Sequence, residues 1–217
     1  MYKILIVAAV TIAITAAALM TGIFTTTLTQ IALAQRNSTN PATSSNIQSA
    51  SPSNRTGTDA AESNFLVYEN STFGMKLQYP SNWAKQTAGQ AATFVLLGSG
   101  QNNPEQFLAK LNVTGIMGFP PNVPLKAMAD RVVDGYRHFL SNFQIESYTN
   151  TTLGGNNAIK IVYTYSDSKN TNIKATDIAT VNNDRLYVIQ YYYEQSPKYQ
   201  SYLQTLQKMV DSFQITG

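Results

Sequence analysis

No cysteine occurs among the 217 residues, and there is one histidine, His138, and one tryptophan, Trp83. Without cysteine the chain has no disulfide, thiolate metal site, cysteine nucleophile or lipidated-cysteine anchor. Charge is scarce too, at 12% of residues, with 15 basic and 12 acidic side chains. Setting Lys3 aside with the N-terminal leader leaves 14 basic against 12 acidic residues, a net +2. That is too weak a balance to draw nucleic acid or an anionic membrane surface. The motifs of catalysis are missing: there is no Gly-x-Ser-x-Gly and no phosphate-binding Gly-Lys-Ser/Thr. Gly98-Ser99-Gly100 begins a dinucleotide fingerprint that fails at Asn103. No close pair of carboxylates flanks an obvious cleft, and no Asp-x-Asp-x-Asp-Gly calcium loop occurs. The inventory therefore assigns no catalytic, cofactor-binding or metal residue, and the chain reads as a non-enzyme without a cofactor.

Charge is most conspicuously missing at the N-terminus. Between Lys3 and Arg36 lie 32 uncharged residues, of which Ile4–Phe24 are almost all aliphatic. As a helix those 21 residues reach about 31 Å, enough to cross a bilayer core. Length favours a retained anchor, whereas Ala32-Leu33-Ala34 is a small-x-small cleavage signature. Both fates put the remainder outside the cytoplasm, with Lys3 on the inner side. Residues 1–34 are thus read as signal peptide or membrane anchor.

Residues 35–64 follow as a linker. Sixteen of these 30 residues are Ser, Thr or Asn, and Ile47 is their only large aliphatic. Such a segment buries too little apolar surface to offset its ordering entropy, so it is expected to be a disordered stalk.

Residues 65–217 carry the patterning of a folded domain. Phe65–Glu69 reads as a short strand, and Gly74–Tyr79 alternates with Met75, Leu77 and Tyr79 on one face. Ala92–Gly98 and Phe107–Thr114 follow, the latter with Ala109, Leu111 and Val113 inward. A helix entered through Pro124 shows a stripe of Leu125, Met128, Val132, Tyr136, Phe139 and Phe143. Four more strands, Ile145–Thr152, Asn157–Ser166, Ile173–Val181 and Arg185–Glu194, are separated by turn residues such as Gly154-Gly155 and Asn182-Asn183-Asp184. A last helix, with Ser196 as N-cap and Pro197 at its first position, buries Tyr202, Leu203, Leu206, Met209, Val210 and Phe213. Strands dominate, which predicts an α+β fold with a central antiparallel sheet flanked by helices.

Few constellations could carry a site. Asp130, Asp134 and His138 stand at four-residue steps and could share a divalent ion. Such a row spreads over about 12 Å, however, and Lys126, Arg131 and Arg137 are spaced to neutralise the aspartates on a solvated face. Asp177 shares a strand face with Ile173, Ala175, Ala179 and Val181. A buried carboxylate there would mark a site, but the alanines fit a wet face, and that reading is preferred. Tyr163, Tyr165, Tyr187, Tyr191 and Tyr193 form a candidate aromatic partner surface, set against half-buried sheet packing. Asn37, Asn54, Asn70, Asn112 and Asn150 are candidate glycosylation acceptors, with Asn112 on the polar face of its strand.

Two groups of fragments, in this order and spacing, resemble the PsbP family. The first is Phe65-Leu66-Val67-Tyr68, Gly74-Met75-Lys76 and Tyr79-Pro80-Ser81-Asn82-Trp83. The second is Ala179-Thr180-Val181, Arg185-Leu186-Tyr187-Val188-Ile189 and Ser212-Phe213. The family is named for an extrinsic subunit of the photosystem II oxygen-evolving complex. The resemblance implies a central antiparallel sheet flanked by helices. For photosynthetic members it implies docking to a luminal membrane complex and help in retaining its calcium and chloride. PsbP-like chains, archaeal ones among them, also occur where there is no photosystem. The leader and stalk set this chain with such non-photosynthetic members. In Pro80-x-x-Trp83 the proline turns the chain off its strand so that the indole can cover the core. The expected function is a non-catalytic, tethered or secreted interaction module that assists a membrane-associated complex through a protein partner. The alternative is an extracytoplasmic protein that binds a small ligand or a metal.

Overall fold

A computed structural model describes residues 64–97, 107–195 and 201–217. The leader, and all of the linker except Asn64, lie outside the described residues. No helix among the described residues is long and apolar enough to cross a membrane.

Twelve elements follow one another: β1 (Phe65–Asn70), β2 (Met75–Pro80), β3 (Ala84–Ala88), β4 (Ala91–Leu97), β5 (Phe107–Met117), α1 (Leu125–Phe139), β6 (Ser141–Leu153), β7 (Asn156–Ser166), β8 (Asn172–Asn182), β9 (Arg185–Glu194), α2 (Ser201–Asp211) and β10 (Gln214–Ile215). Seven strands form one antiparallel sheet in the order β3-β4-β5-β9-β8-β7-β6, and β1-β2-β10 form a second, small one. The α+β architecture expected from the strand count is thus the observed one.

The hairpins follow from their turn residues. Gly154 and Gly155 take φ +56° and +81° between β6 and β7, and Asn183 takes φ +56° between β8 and β9. A Cβ on Gly154 would also lie 3.1 Å from Ile215 Cγ1, so that turn is fixed by close approach as well as by φ. Between β7 and β8, Asp167 Oδ1 accepts the backbone N–H groups of Lys169 and Thr171, both at 2.8 Å.

Each face of the seven-strand sheet has its own core. On one side lie α2 and the small sheet, with Trp83, Phe94, Leu111, Val113, Tyr187, Ile189, Leu206 and Met209 buried between them. The phenol of Tyr187 donates to the Phe73 carbonyl at 2.9 Å and ties the two sheets together. Trp83, 4% exposed, covers this core as the Pro80-x-x-Trp83 reading expects. On the other side α1 lays Met128, Ala129, Val133 and Tyr136 on Ile159, Ile161, Tyr163, Ala175 and Ala179.

Several expectations need correction. The stripe expected on the helix lies one flank off the buried one: Phe139 is 69% exposed, and Phe143 lies beyond the helix on β6. The true seam includes Ala129 and Val133, which a search for large side chains passes over. On α2, Leu203 is exposed at 39% rather than buried, and the expected cap Ser196-Pro197 lies outside the described residues. β3 and the small sheet were not expected. β3 is polar and only five residues long, and β10 has two residues, so neither leaves a period to read.

Candidate functional site

On the α1 face four adjacent strands place polar residues directly opposite one another. Register pairs Asp177 of β8 with Gln190 of β9, Gln190 with Asn112 of β5, and Asn112 with Thr93 of β4. The result is a polar band crossing an otherwise apolar sheet. Thr93, Asn112 and Asp177 are buried and Gln190 is half-buried.

At one end of the band Asp177 is 5% exposed, and its carboxylate accepts three hydrogen bonds. Tyr136 of α1 donates its hydroxyl to Oδ2 at 2.7 Å, Gln190 donates Nε2 to Oδ2 at 3.2 Å, and Tyr163 of β7 donates its hydroxyl to Oδ1 at 3.2 Å. Gln190 Nε2 also donates to the Tyr136 hydroxyl at 3.0 Å. All three donors are neutral. Burial raises the Asp177 carboxyl from its ordinary 3.8 to about 6, against the pull of those hydrogen bonds. The same burial, with the Asp177 charge beside them, pushes the phenols of Tyr136 and Tyr163 well above their usual range.

The other end of the band is equally committed. Thr93 Oγ1 donates to Asn112 Oδ1 at 2.9 Å, and Asn112 Nδ2 donates to the Tyr192 hydroxyl. Lys110 Nζ lies 5.4 Å from the centre of the Tyr192 ring, and burial lowers its pKa to about 8.

Beside Asp177 the packing of α1 on the sheet leaves a cleft of about 50 Å³. Met128, Val132, Ile159, Ile161, Ala179 and Val188 supply much of its apolar wall, with Asp177, Gln190 and Arg131 as its polar members. No hydroxyl, thiol or imidazole nucleophile lines it. The arrangement can hold a charge and an apolar body side by side; it brings no nucleophile to a base.

The residues singled out from sequence fall as follows. Asp177 faces the core, not solvent, which overturns the preferred reading. β8 is a central strand buried on both faces, so Ala175 and Ala179 mark close helix packing rather than a wet side. The five tyrosines do not share a surface. Tyr163 and Tyr165 face α1, while Tyr187, Tyr191 and Tyr193 lie on the opposite face, and all but Tyr165 are buried. Asn112, 2% exposed, is bonded inside the band rather than on a polar outer face, so a glycan has no access to it. Asn150 is exposed on β6, and Asn70 is half-buried and donates to Tyr68 Oη and the Gly89 carbonyl. Asn37 and Asn54 lie outside the described residues.

On α1, Asp130 is held by Lys126 at 2.8 Å and by the Tyr148 hydroxyl at 3.0 Å, and Asp134 is paired with Arg137 at 2.8 Å. His138 Nδ1 sits 2.6 Å from the Asp134 carbonyl oxygen. Among the described residues no three such side chains converge to hold a metal ion. Sequence reasoning missed Gln190, Tyr136 as a hydrogen-bond donor, and the band as a whole.

A family model described as PsbP-like protein matches residues 4–215. Cyanobacterial PsbP from Synechocystis sp. PCC 6803 is similar in structure, at 13% identity over 75% of this chain and 98% of that one, with a TM-score of 0.50. The Ran-binding protein Mog1p of Saccharomyces cerevisiae shares 12% identity over 71% of this chain and 97% of its own, with a TM-score of 0.48. LpqN, involved in cell envelope biogenesis of Mycobacterium tuberculosis, shares 13% identity over 73% of this chain and 88% of its own, with a TM-score of 0.43. No curated protein sequence matches the chain.

Proposed function

We propose, from the premise that this chain belongs to the PsbP-like protein family, that it is an extracytoplasmic interaction module. The N-terminal run tethers the domain to the outer face of a membrane or is removed on export. The domain then assists or stabilises a larger membrane-associated complex through a protein partner. One observation carries the reading: the family match begins at residue 4, so the charge-free run and the folded domain belong to one pattern. The likeness to cyanobacterial PsbP supports the fold and nothing finer. The module acts without catalysis, in keeping with a fold family whose members are generally non-catalytic.

The test uses the full chain in intact cells. Protease added outside should digest the domain, and in native gels of gently solubilised membranes the chain should migrate with a larger assembly. A domain protected from outside protease, or one that migrates only as its own monomer, overturns the reading.

A further inference from the structure

Asp177 takes part in no ion pair among the described residues. The three that occur there are on the α1 surface or between β6 and β8. Its partners are two phenols and an amide, all uncharged. A carboxylate taken out of water is stabilised far less by neutral donors than by a cation. It also keeps acceptor capacity, since a carboxylate offers about four lone-pair positions and three donors are present here.

The cleft lies at this carboxylate. Its volume of about 50 Å³ exceeds the roughly 10–15 Å³ that a single water needs, so the cleft admits a small ligand. Ala129 of α1 and Ala179 of β8 both line it, and their short side chains leave the gap that longer ones would fill. Gln190 commits its amide nitrogen to Asp177 and Tyr136, which leaves its carbonyl oxygen as a second acceptor in the lining. Most of the remaining wall is aliphatic or aromatic. Arg131, exposed and positive, borders the same cleft. It disfavours a dication about twice as strongly as a monocation at the same place. The lining also lacks the several oxygen ligands a hard metal ion requires.

We propose that this cleft binds a small primary alkylammonium ion, with its charge on Asp177 and its alkyl chain between α1 and the sheet. The ammonium supplies a counter-charge and its protons meet the carboxylate and the Gln190 carbonyl. The alkyl chain takes the place of solvent against Ile159, Ile161, Val132 and Val188. The inference is independent of the partner-binding reading, because it needs neither the partner nor the membrane.

The test is a titration of the full-length chain with n-propylammonium chloride, read by methyl NMR at about pH 8, where the carboxyl that titrates at about 6 is ionised. Saturable shifts are expected at the methyls of Ile159, Ile161 and Val188. n-Propanol, of the same shape without the charge, should bind at least about tenfold more weakly, a difference of about 1.4 kcal/mol. Ala179→Leu fills the cleft and should abolish the shifts; Asp177→Asn keeps the shape and should weaken binding at least about tenfold. Absence of saturable shifts in the wild-type chain overturns the proposal. So does equal binding of propanol, or binding unchanged by Ala179→Leu. If Asp177→Asn does not fold, the propanol comparison decides on the wild-type chain alone.

Discussion

Strand β9 serves two faces of one sheet. Toward α2 and the small sheet it presents Tyr187, Ile189, Tyr191 and Tyr193; toward α1 it presents Leu186, Val188, Gln190 and Tyr192. The first set is buried in a core that also holds Trp83, Phe94, Leu111 and Met209. The second is crossed by the Asp177–Gln190–Asn112–Thr93 band and opened by the cleft. The α2 side gains its stability from close-packed apolar area. The α1 side buries polar groups whose net worth is small while they are satisfied and whose loss is costly. One face is therefore suited to holding the domain together, and the other to recognition.

The largest effect is expected on the apolar face. Trp83→Ala should destabilise the domain by about 3–5 kcal/mol, the range for a large aromatic truncated in a core. Urea unfolding of the wild-type and variant chains measures it. A midpoint that does not move would place Trp83 outside the core and dissolve the contrast between the faces.

Next in size is the pH response of the α1 face. The folded protein raises the Asp177 carboxyl from 3.8 to about 6, because burial penalises its charged form. Its contribution to stability is thus fully present below about pH 4 and is lost as pH rises through about 6. Across that window the loss is on the order of 3 kcal/mol. The Tyr136 and Tyr163 phenols that face it are pushed up and do not titrate there, Gln190 is neutral, and Arg131 of α1 borders the same cleft. The wild-type chain should therefore lose stability relative to Asp177→Asn between about pH 4 and about pH 6. A parallel pair of stability curves would mean that Asp177 is solvated.

How much of this contrast is legible in the sequence varies strand by strand. Amphipathic strands declared themselves: Met75, Leu77 and Tyr79 on β2, and Ala109, Leu111 and Val113 on β5, are all buried as their alternation predicts. β8 misleads, because a strand covered on both faces loses the polar beat that marks its outer side. Yet half of the band is computable. The tight turn at Asn183 and Asp184 sets Asp177 and Gln190 six residues out on either side, hence opposite one another. Asn112 could not be placed the same way, since β5 pairs with β9 across a long intervening chain. Nor does a one-dimensional pattern show that Tyr136, counted as a core aromatic, also points a hydroxyl at a carboxylate 41 residues away.

Tyr136→Phe sharpens the comparison further. It keeps the ring that packs against Tyr163 and Phe143 and removes only the hydroxyl that Asp177 accepts and that Gln190 donates to. Two buried groups lose a partner, so a cost of about 1–3 kcal/mol is expected. The Asp177 carboxyl should rise further, because one hydrogen bond to its charged form is gone. NMR titration of the carboxyl carbon reports that shift directly, and a lowered or unmoved value would remove Tyr136 from the site.

The smallest effect is predicted one residue further along the same helix. Arg137 points away from the sheet and pairs with Asp134 at 2.8 Å, with both side chains more than half exposed. It also sits in the last turn of α1, where a positive charge meets the helix dipole favourably. Water screens both interactions, so Arg137→Ala should cost no more than about 0.5 kcal/mol, and less at high salt. Adjacent residues on α1 would then differ severalfold, with Tyr136 anchored in the band and Arg137 on a solvated face. The same reasoning keeps the Asp130, Asp134 and His138 row from acting as a metal site, since Lys126, Tyr148 and Arg137 already engage its carboxylates. Calorimetric titration with calcium, manganese and zinc should find no site tighter than about micromolar, an affinity of about 8 kcal/mol. Tight binding lost in both Asp134→Ala and His138→Ala would move the functional centre from the inner face of α1 to its outer one.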